Sequence, residues 1–216
     1  MPIKSFPEPT RTGPEGLLAV GGDLHPESLL LAYKQGIFPW PMDDFPLAWF
    51  CPPERAILDF SKLHLPRSLE QEIRRKRFQF TIDRDFPAVI RECAETKRPE
   101  QPGTWITPEM IDAYIELHRL GHAHSVEVWD KEELVGGIYG VDAGGAFAGE
   151  SMFYKKSYAS KLAIIHLVRH LQSRGLTWMD IQVMTPHMSG LGAEVISRDL
   201  FLRRLRETFS QGFRLF

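Results

Sequence analysis

The sequence has little cysteine, no strong excess of charge and no long apolar run. Its two cysteines, Cys51 and Cys93, lie far apart and show no metal-like spacing. Two isolated thiols exclude a disulfide-rich scaffold and fit a reducing compartment, so we expect a cytoplasmic protein. The formal net charge of −2 lacks the overall basic character of many nucleic-acid-binding proteins. A local cationic patch would still be sufficient for such binding.

The lack of long apolar runs argues against a helix that crosses a membrane. No segment approaches the roughly 20 apolar residues of a membrane helix. The first residues, MPIKSFPEPTRTGPEG, also lack the apolar core of a signal peptide. We therefore expect no membrane partner. What the sequence does have is 43% hydrophobic residues among 216, enough for one sizeable core or two unequal ones.

The hydrophobic pattern changes after the first quarter of the chain. Up to there, proline and glycine interrupt short apolar pieces, and one short helix is predicted from His25 to Gly36. The segment PRSLEQEIRRKRFQF then indicates a basic amphipathic helix that runs into a strand. We predict a small N-terminal domain over residues 1–62, packed on a C-terminal domain over residues 63–216.

The second half combines helices with a mainly antiparallel sheet. Thr107 as cap, Pro108 and the closing Gly121 predict a helix. Three consecutive antiparallel strands are predicted in HSVEVWDKEELVGGIYGVDAGGAFAGESMF, which alternates and breaks at DKEE and DAGG. A helix in ASKLAIIHLVRHLQSRG, a strand in LTWMDIQVM and a helix in SRDLFLRRLRETF follow. The resulting order, β-β-β-α-β-α, predicts an α+β fold.

Two of these strands carry polar residues that suit a site. Alternation places Asp180 and Gln182 on one face of an otherwise apolar strand, where they need partners or a cleft. Glu150 is predicted at or just past a strand end, between Phe147 and Met152, which would wall an apolar pocket. The alternative is a structural Asp–Gln pair and a solvated edge glutamate.

The densest group of cations lies on the basic helix. Its members are Arg67, Arg74, Arg75, Lys76 and Arg77, and Lys155, Lys156 and Lys161 extend it if the fold brings them close. Such a cluster is either a solvated helix face or a contact surface for phosphates.

Tryptophan and histidine residues are further candidates. Trp40 in GIFPWP and Trp105 in PGTWITP are either stacking platforms for a base or plugs of a small core. The histidines of HRLGHAH have no accompanying set of carboxylates or cysteines, and Gly121 breaks the helix between them. We therefore predict no metal site and no cofactor.

The strand-rich half followed by a helix resembles the acyl-CoA N-acyltransferase (GNAT) architecture. Those enzymes hold the CoA pyrophosphate in a glycine-rich turn at a helix N-terminus. The corresponding segment here, FYKKSYASK, contains no glycine. The pattern therefore indicates a GNAT-like fold whose acyl donor is not CoA.

Several segments in this order resemble one family. They are GLLAVGGDLHPESLLLAYKQGIFPW, TWITPEMIDAYIELHRLGHAHSVEVW, ELVGGIYGV, GESMF, ASK and DIQV, and they span nearly the whole chain. Together they are similar to the leucyl/phenylalanyl-tRNA–protein transferases. The resemblance implies a bacterial, cytosolic, monomeric aminoacyltransferase with a small N-terminal domain on a GNAT-like domain. Its donors would be Leu-tRNA, Phe-tRNA and, as a third, Met-tRNA. Its acceptors would be proteins with N-terminal Arg or Lys, marked in this way for N-end rule degradation.

The resemblance also implies roles for single residues. Asp180 and Gln182 match the catalytic D-x-Q pair, and Glu150 matches the acidic residue of the site. Trp40 and Trp105 match aromatics near the terminal adenosine of the tRNA. The pocket for the donor side chain would be formed by Ile138, Phe147, Met152, Leu167 and Leu171. Leu167 and Leu171 stand where the family can carry phenylalanine, so the preference between leucine and phenylalanine stays open.

Two other functions remain as alternatives. One is a CoA-dependent GNAT-type N-acyltransferase, against which the missing glycine turn argues. The other is a non-catalytic module that binds tRNA or a degron. The pair Asp180 and Gln182 beside Glu150 argues against that alternative.

Overall fold

The computed structural model describes residues 1–42, 45–96 and 105–216. The N-terminal part contains β1 (Leu17–Val20), α1 (Pro26–Lys34), β2 (Phe38–Pro39) and β3 (Ala48–Phe50). The three strands form an antiparallel sheet in the order β1-β3-β2. The predicted helix from His25 to Gly36 is therefore confirmed as α1, whereas these short strands were not predicted.

The rest of the chain is built on one seven-stranded sheet. Its strands are β4 (Glu54–Asp59), β5 (Gln79–Ile82), β6 (Ala123–Asp130), β7 (Glu133–Asp142), β8 (Phe147–Tyr154), β9 (Trp178–Gln182) and β10 (Glu194–Ser197). They lie in the order β10-β4-β9-β8-β7-β6-β5. Every neighbouring pair is antiparallel except β8 and β9. The predicted α+β class with a mainly antiparallel sheet is therefore confirmed.

Helices cover both faces of this sheet. They are α2 (Arg67–Arg75), α3 (Phe86–Glu95), α4 (Pro108–Arg119), α5 (Ala159–Ser173), α6 (Pro186–Ser189) and α7 (Arg198–Gln211). One apolar core lies under α1, α3 and α4, and a second lies under α2 and α5. A smaller cluster packs α7 on β4 and β9. No helix among the described residues is long and apolar enough to cross a membrane.

Local signals explain why the predicted helices form where they do. The Thr107 side chain accepts a hydrogen bond from the backbone N–H of Met110 at 3.3 Å, and Gly121 takes a φ of 78° just after α4 ends. Gly175 takes a φ of 93° just after α5 ends. Left-handed backbone is accessible to glycine without the Cβ penalty, so both helices stop at these positions.

The order β-β-β-α-β-α for the second half is incomplete, because α6 and β10 lie between β9 and α7. The helix α3 was also missed. Its signals were present, since the Asp85 side chain accepts from Ala88 N at 3.1 Å and Pro87 stands in the first turn. The boundary after residue 62 stays a prediction. Residues 54–59 nevertheless form β4, which pairs with β9 and β10 of the large sheet.

Candidate active site

The strands β8 and β9 separate at the centre of the sheet. They pair in parallel through one register position, Ala148 opposite Asp180. Glu150 lies two residues further along β8, in the middle of the strand and not at its end as predicted. Gly149 pairs with Gly140 and Ser151 pairs with Tyr139, so Glu150 is the extra residue of a β-bulge. Bulges redirect a side chain and end regular pairing, and this one places Glu150 beside the gap between the strands.

The three residues predicted as catalytic lie together at this gap. The Gln182 side-chain Nε2 donates to Glu150 Oε1 at 2.9 Å. The Gln182 backbone N–H donates to Asp180 Oδ1, also at 2.9 Å. Gln182 has a φ of 55°, which is the left-handed region and costs a non-glycine residue about 1–3 kcal/mol. Asp180 therefore holds the strained residue whose side chain contacts Glu150.

Arg55 is a neighbour of these residues that the sequence analysis missed. Its Nε donates to Asp180 Oδ1 at 2.8 Å and its Nη2 donates to Oδ2 at 2.6 Å. Both side chains are buried. The sequence signal was one arginine inside the apolar stretch ERAILDF, where an unpaired charge would be costly.

Two tyrosines complete the surroundings of Glu150. The hydroxyl groups of Tyr33 on α1 and Tyr114 on α4 lie 2.5 Å apart and share a hydrogen bond. Both lie close to the Glu150 carboxylate and lower its pKa. Burial raises the pKa of Tyr33 and of Tyr114 well above the usual range, and the Glu150 charge adds to this. Both hydroxyl groups therefore stay protonated. One proton lies in the bond between them, which leaves one to be donated toward Glu150.

Burial also controls the protonation of Glu150. It raises the pKa of Glu150 to about 8, and the Asp180 charge adds to the rise, whereas the tyrosine hydrogen bonds and the Arg55 charge oppose it. The side chain retains some solvent exposure. It is therefore a largely enclosed carboxyl group that changes charge close to neutral pH.

This shift predicts how stability depends on pH. The folded protein holds the Glu150 proton more tightly than the unfolded chain, whose glutamate pKa is about 4.3. The contribution of this group is therefore fully present below the unfolded pKa and is lost as the pH rises through about 8. Glu150→Gln cannot ionise. It should raise the Tm at about pH 9 by roughly 3 °C or more, and leave it nearly unchanged at about pH 5.

Thermal unfolding followed by circular dichroism at the two pH values measures this difference. Glu15→Gln, at an exposed carboxylate that forms no ion pair within the described ranges, is the control for a change of net charge alone. An equal Tm shift at both pH values in Glu150→Gln would contradict the assignment of a raised pKa.

The residues predicted to hold the donor side chain share one apolar cluster. They are Ile138, Phe147, Met152, Leu167 and Leu171, on the α5 side of the sheet. Ile138 and Met152 are cross-strand partners on β7 and β8. Met152 is the partly exposed member. The other four are buried in the core, so the five positions form a contiguous apolar cluster, and their role as a pocket stays a prediction.

Trp40 and Trp105 lie on the opposite side of the sheet, against the core that also contains Tyr33 and Tyr114. Their rings stack on each other with centroids 5.3 Å apart and planes 13° apart. Both are partly buried. The fold therefore brings together two aromatics that are far apart in the sequence, on the same face as the cluster around Glu150.

Ion pairs reduce the free charge of the predicted cationic surface. Arg75 and Arg77 both contact the buried carboxylate of Glu72, at 2.5 Å each, and Arg74 lies 3.6 Å from Glu70. Lys155 pairs with Glu92. Lys156 pairs with Asp130 at 2.8 Å and Glu133 at 2.9 Å.

Two members of the cluster differ from these. Arg67 and Lys76 are exposed, and no ion pair forms at either within the described ranges. These two residues, one at the start of α2 and one directly after its end, are therefore the cations of this cluster that are freest to contact a phosphate.

The histidines have structural partners. His124 Nδ1 lies 2.7 Å from Asp83 Oδ2, and His118 stacks on Phe86 with ring centroids 4.5 Å apart. The described part of the chain contains no group of three or more His, Cys, Asp or Glu side chains arranged to hold a metal ion.

Two models of known protein families match this chain. The family model described as "Leucyl/phenylalanyl-tRNA protein transferase" matches residues 57–206, and that of the N-terminal domain of the same family matches residues 22–53. The chain belongs to the leucyl/phenylalanyl-tRNA–protein transferase family. The enzyme class expected from the sequence, an aminoacyltransferase, is therefore confirmed, and the family favours it over both alternatives.

Individual members of the transferase family are similar over nearly their full length. The leucyl/phenylalanyl-tRNA–protein transferase of Anaeromyxobacter sp. (strain K) is 51% identical over 96% of this chain and 89% of its own. That of Maridesulfovibrio salexigens is 50% identical over 94% and 85%. That of Chromobacterium violaceum is 50% identical over 90% and 83%.

Solved structures are more distant. L-PGS from Bacillus licheniformis superposes with a TM-score of 0.43 and 16% identity, over 74% of this chain and 51% of its own. Ribosomal-protein-alanine N-acetyltransferase from Brucella melitensis biovar Abortus 2308 gives 0.34 and 18%, over 52% and 85%. At these scores neither likeness carries an argument about the reaction.

Proposed function

We propose that this protein transfers leucine or phenylalanine from aminoacyl-tRNA to the α-amino group of proteins that begin with Arg or Lys, marking them for N-end rule degradation. The observation that carries the proposal is the contact of Gln182 with both Asp180 and Glu150 beside the β8–β9 gap. The family membership supplies the reaction class.

The gap would join the two substrate sites that such a reaction needs. Glu150 and the two tyrosines belong to the α1/α4 side, whereas the apolar cluster around Phe147 belongs to the α5 side. A donor whose side chain packs on this cluster at Met152, its partly exposed member, would present its carbonyl carbon within the gap. The acceptor amine would then approach from the Glu150 side.

The reaction requires alignment of the acceptor amine with the ester carbonyl more than it requires a strong base. The acceptor α-amine, with an ordinary pKa of about 7.7–8.0, is partly neutral at physiological pH. Its nitrogen forms a bond to the ester carbonyl carbon, the ester C–O bond breaks, and the ribose hydroxyl leaves with a proton. Gln182 would orient the reacting amine or carbonyl, and Asp180 would orient Gln182.

Glu150 suits the recognition of the acceptor's first residue. A guanidinium or ammonium group that reached Glu150 at the gap would favour the ionised carboxylate and displace its proton. This follows because an opposite charge lowers the pKa of a carboxyl group. An acidic first residue would meet repulsion in a partly desolvated site. The stacked Trp40 and Trp105 are on the same side and suit the terminal adenosine of the donor.

The tRNA body would contact the exposed cations of α2. Reversing the charge of Arg67 and Lys76 to Glu should weaken Leu-tRNA binding about tenfold and reduce the salt dependence by nearly two counterions. Filter binding over a range of salt concentrations measures both. An aminoacyl-adenosine donor, which lacks the tRNA body, should bind almost as it does to the wild type.

The matched control reverses two other exposed arginines, Arg203 and Arg206 on α7. This change alters the net charge by the same amount at another surface. Equal losses in the two double variants would contradict a specific tRNA contact at α2.

A donor comparison tests the proposed reaction itself. The wild-type protein is incubated with a peptide that begins with Arg and with either labelled Leu-tRNA or labelled acetyl-CoA. Label should reach the peptide from Leu-tRNA alone. Acetylation without leucylation would support the CoA-dependent alternative and overturn the proposal.

A further inference from the structure

Arg55 carries a charge that the fold has fully enclosed. It lies on β4, next to β9 in the sheet, and the residue is 1% exposed. Its two hydrogen bonds to Asp180 are parallel, one to each carboxylate oxygen, at 2.8 and 2.6 Å. This fork geometry fixes the plane of the carboxylate and not only its position.

Two aromatic rings hold the guanidinium from other parts of the chain. Its central carbon lies 4.6 Å from the ring centroid of Phe38 on β2 and 4.5 Å from that of Phe201 on α7. The remaining nitrogen, Nη1, is buried and finds no hydrogen-bond partner in the described ranges. A buried ion pair with an unused donor is a poor way to stabilise a core, since apolar residues of similar volume are often as good or better.

The hydrogen bonds lead from this arginine to the site. Asp180 Oδ1 accepts from Arg55 Nε and also from the Gln182 backbone N–H. Gln182 then donates to Glu150 from its side chain. We propose that Arg55 is a positioning residue for aminoacyl transfer, which orients Gln182 through Asp180. This inference rests on the proposed function.

Lysine is the informative replacement for this arginine. It keeps the positive charge but has a single ammonium group, so it cannot fix the carboxylate plane through two parallel hydrogen bonds. Arg55→Lys should lower kcat for leucine transfer to an Arg-starting peptide by about 30-fold or more, because small misplacements cost up to about 100-fold. The KM values for Leu-tRNA and peptide should stay within about threefold.

An arginine on α7 that pairs with a carboxylate of β4 provides the control. Arg204 pairs with Asp59 at 2.7 Å and packs over Trp178 at 5.1 Å, so it has the same kind of partners as Arg55. Its bonds do not reach Gln182 or Glu150. Arg204→Lys should leave kcat unchanged, and circular dichroism should show both single variants folded at the assay temperature.

A double variant distinguishes action through Asp180 from an independent role. If Arg55 acts only through that carboxylate, Arg55→Lys in an Asp180→Asn background should change kcat by less than about twofold. Multiplicative losses, or normal kcat in Arg55→Lys, would overturn the inference. No leucine transfer by the wild type would instead overturn the proposed function.

If Arg55→Lys fails to fold, Phe201→Leu tests the same inference. Loss of the ring that packs against the guanidinium should loosen Arg55 and lower kcat about fivefold in folded protein.

Discussion

Asp180→Asn is expected to lower the rate of leucine transfer about 100-fold, the loss typical of removing one aligned electrostatic contact at an active site. The amide keeps the size of the carboxylate but cannot accept both hydrogen bonds from Arg55, which lie at 2.8 and 2.6 Å. Its NH2 group would face the guanidinium. Gln182 would then lose the fixed acceptor of its backbone N–H, and kcat should fall more than KM rises.

The same change should also reduce stability. Arg55 is buried, so its charge would be left without a full counter-charge. Removing one partner of a buried pair typically costs about 3–5 kcal/mol. Single-turnover rates must therefore be measured on protein shown to be folded. Asp59→Asn, at the carboxylate paired with Arg204, is the matched control and should transfer at the wild-type rate. Near-normal transfer by folded Asp180→Asn would contradict the catalytic assignment.

Glu150→Gln is expected to reduce the preference for Arg over Ala as first acceptor residue by about 10- to 100-fold, the worth of a hydrogen bond to a charged group. Glutamine keeps the side-chain length and the oxygen that accepts from Gln182 at 2.9 Å, but it removes the charge. The loss should appear mainly in KM for Arg- and Lys-starting peptides, since the contact binds the ground state. Steady-state kinetics on peptides that differ at residue one measure it.

The wild type should show a matching dependence on pH. Because the pKa of Glu150 is raised to about 8, KM for Arg-starting peptides should fall relative to Ala-starting ones as the pH rises through that value. The Ala peptide corrects for titration of the α-amine, which both peptides share. In Glu150→Gln this difference should vanish. An unchanged preference for Arg over Ala in the variant would assign Glu150 to a structural or proton-handling role.

Much of the fold was available from local sequence signals. The ends of α4 follow from the Thr107 cap and Gly121, and the strands β6–β8 follow from alternation and tight turns. The placement of Asp180 and Gln182 near Glu150 was implied by the family resemblance. In the structure, the parallel pairing of Ala148 with Asp180 brings the two strands together and so places these residues near Glu150.

The features that could not be predicted from the sequence are those that depend on contacts between distant segments. Arg55 is 125 residues from Asp180 in the sequence, and Tyr33 is 81 residues from Tyr114, so no local pattern indicates either contact. The bulge at Glu150 follows from a register shift against β7, which alternation in one strand does not encode. Likewise, the sequence showed the arginines of α2 but not that Glu72 would be buried between two of them.

The most direct test of the proposed function is transfer of labelled leucine from Leu-tRNA to three peptides that differ only at their first residue, Arg, Ala or Asp. Mass spectrometry of the products locates the added leucine. We expect leucine on the α-amino group of the Arg peptide, far less on the Ala peptide and none on the Asp peptide, because the first residue would meet Glu150. Equal transfer to all three would contradict the role of Glu150, and no transfer to any of them would contradict the proposed function.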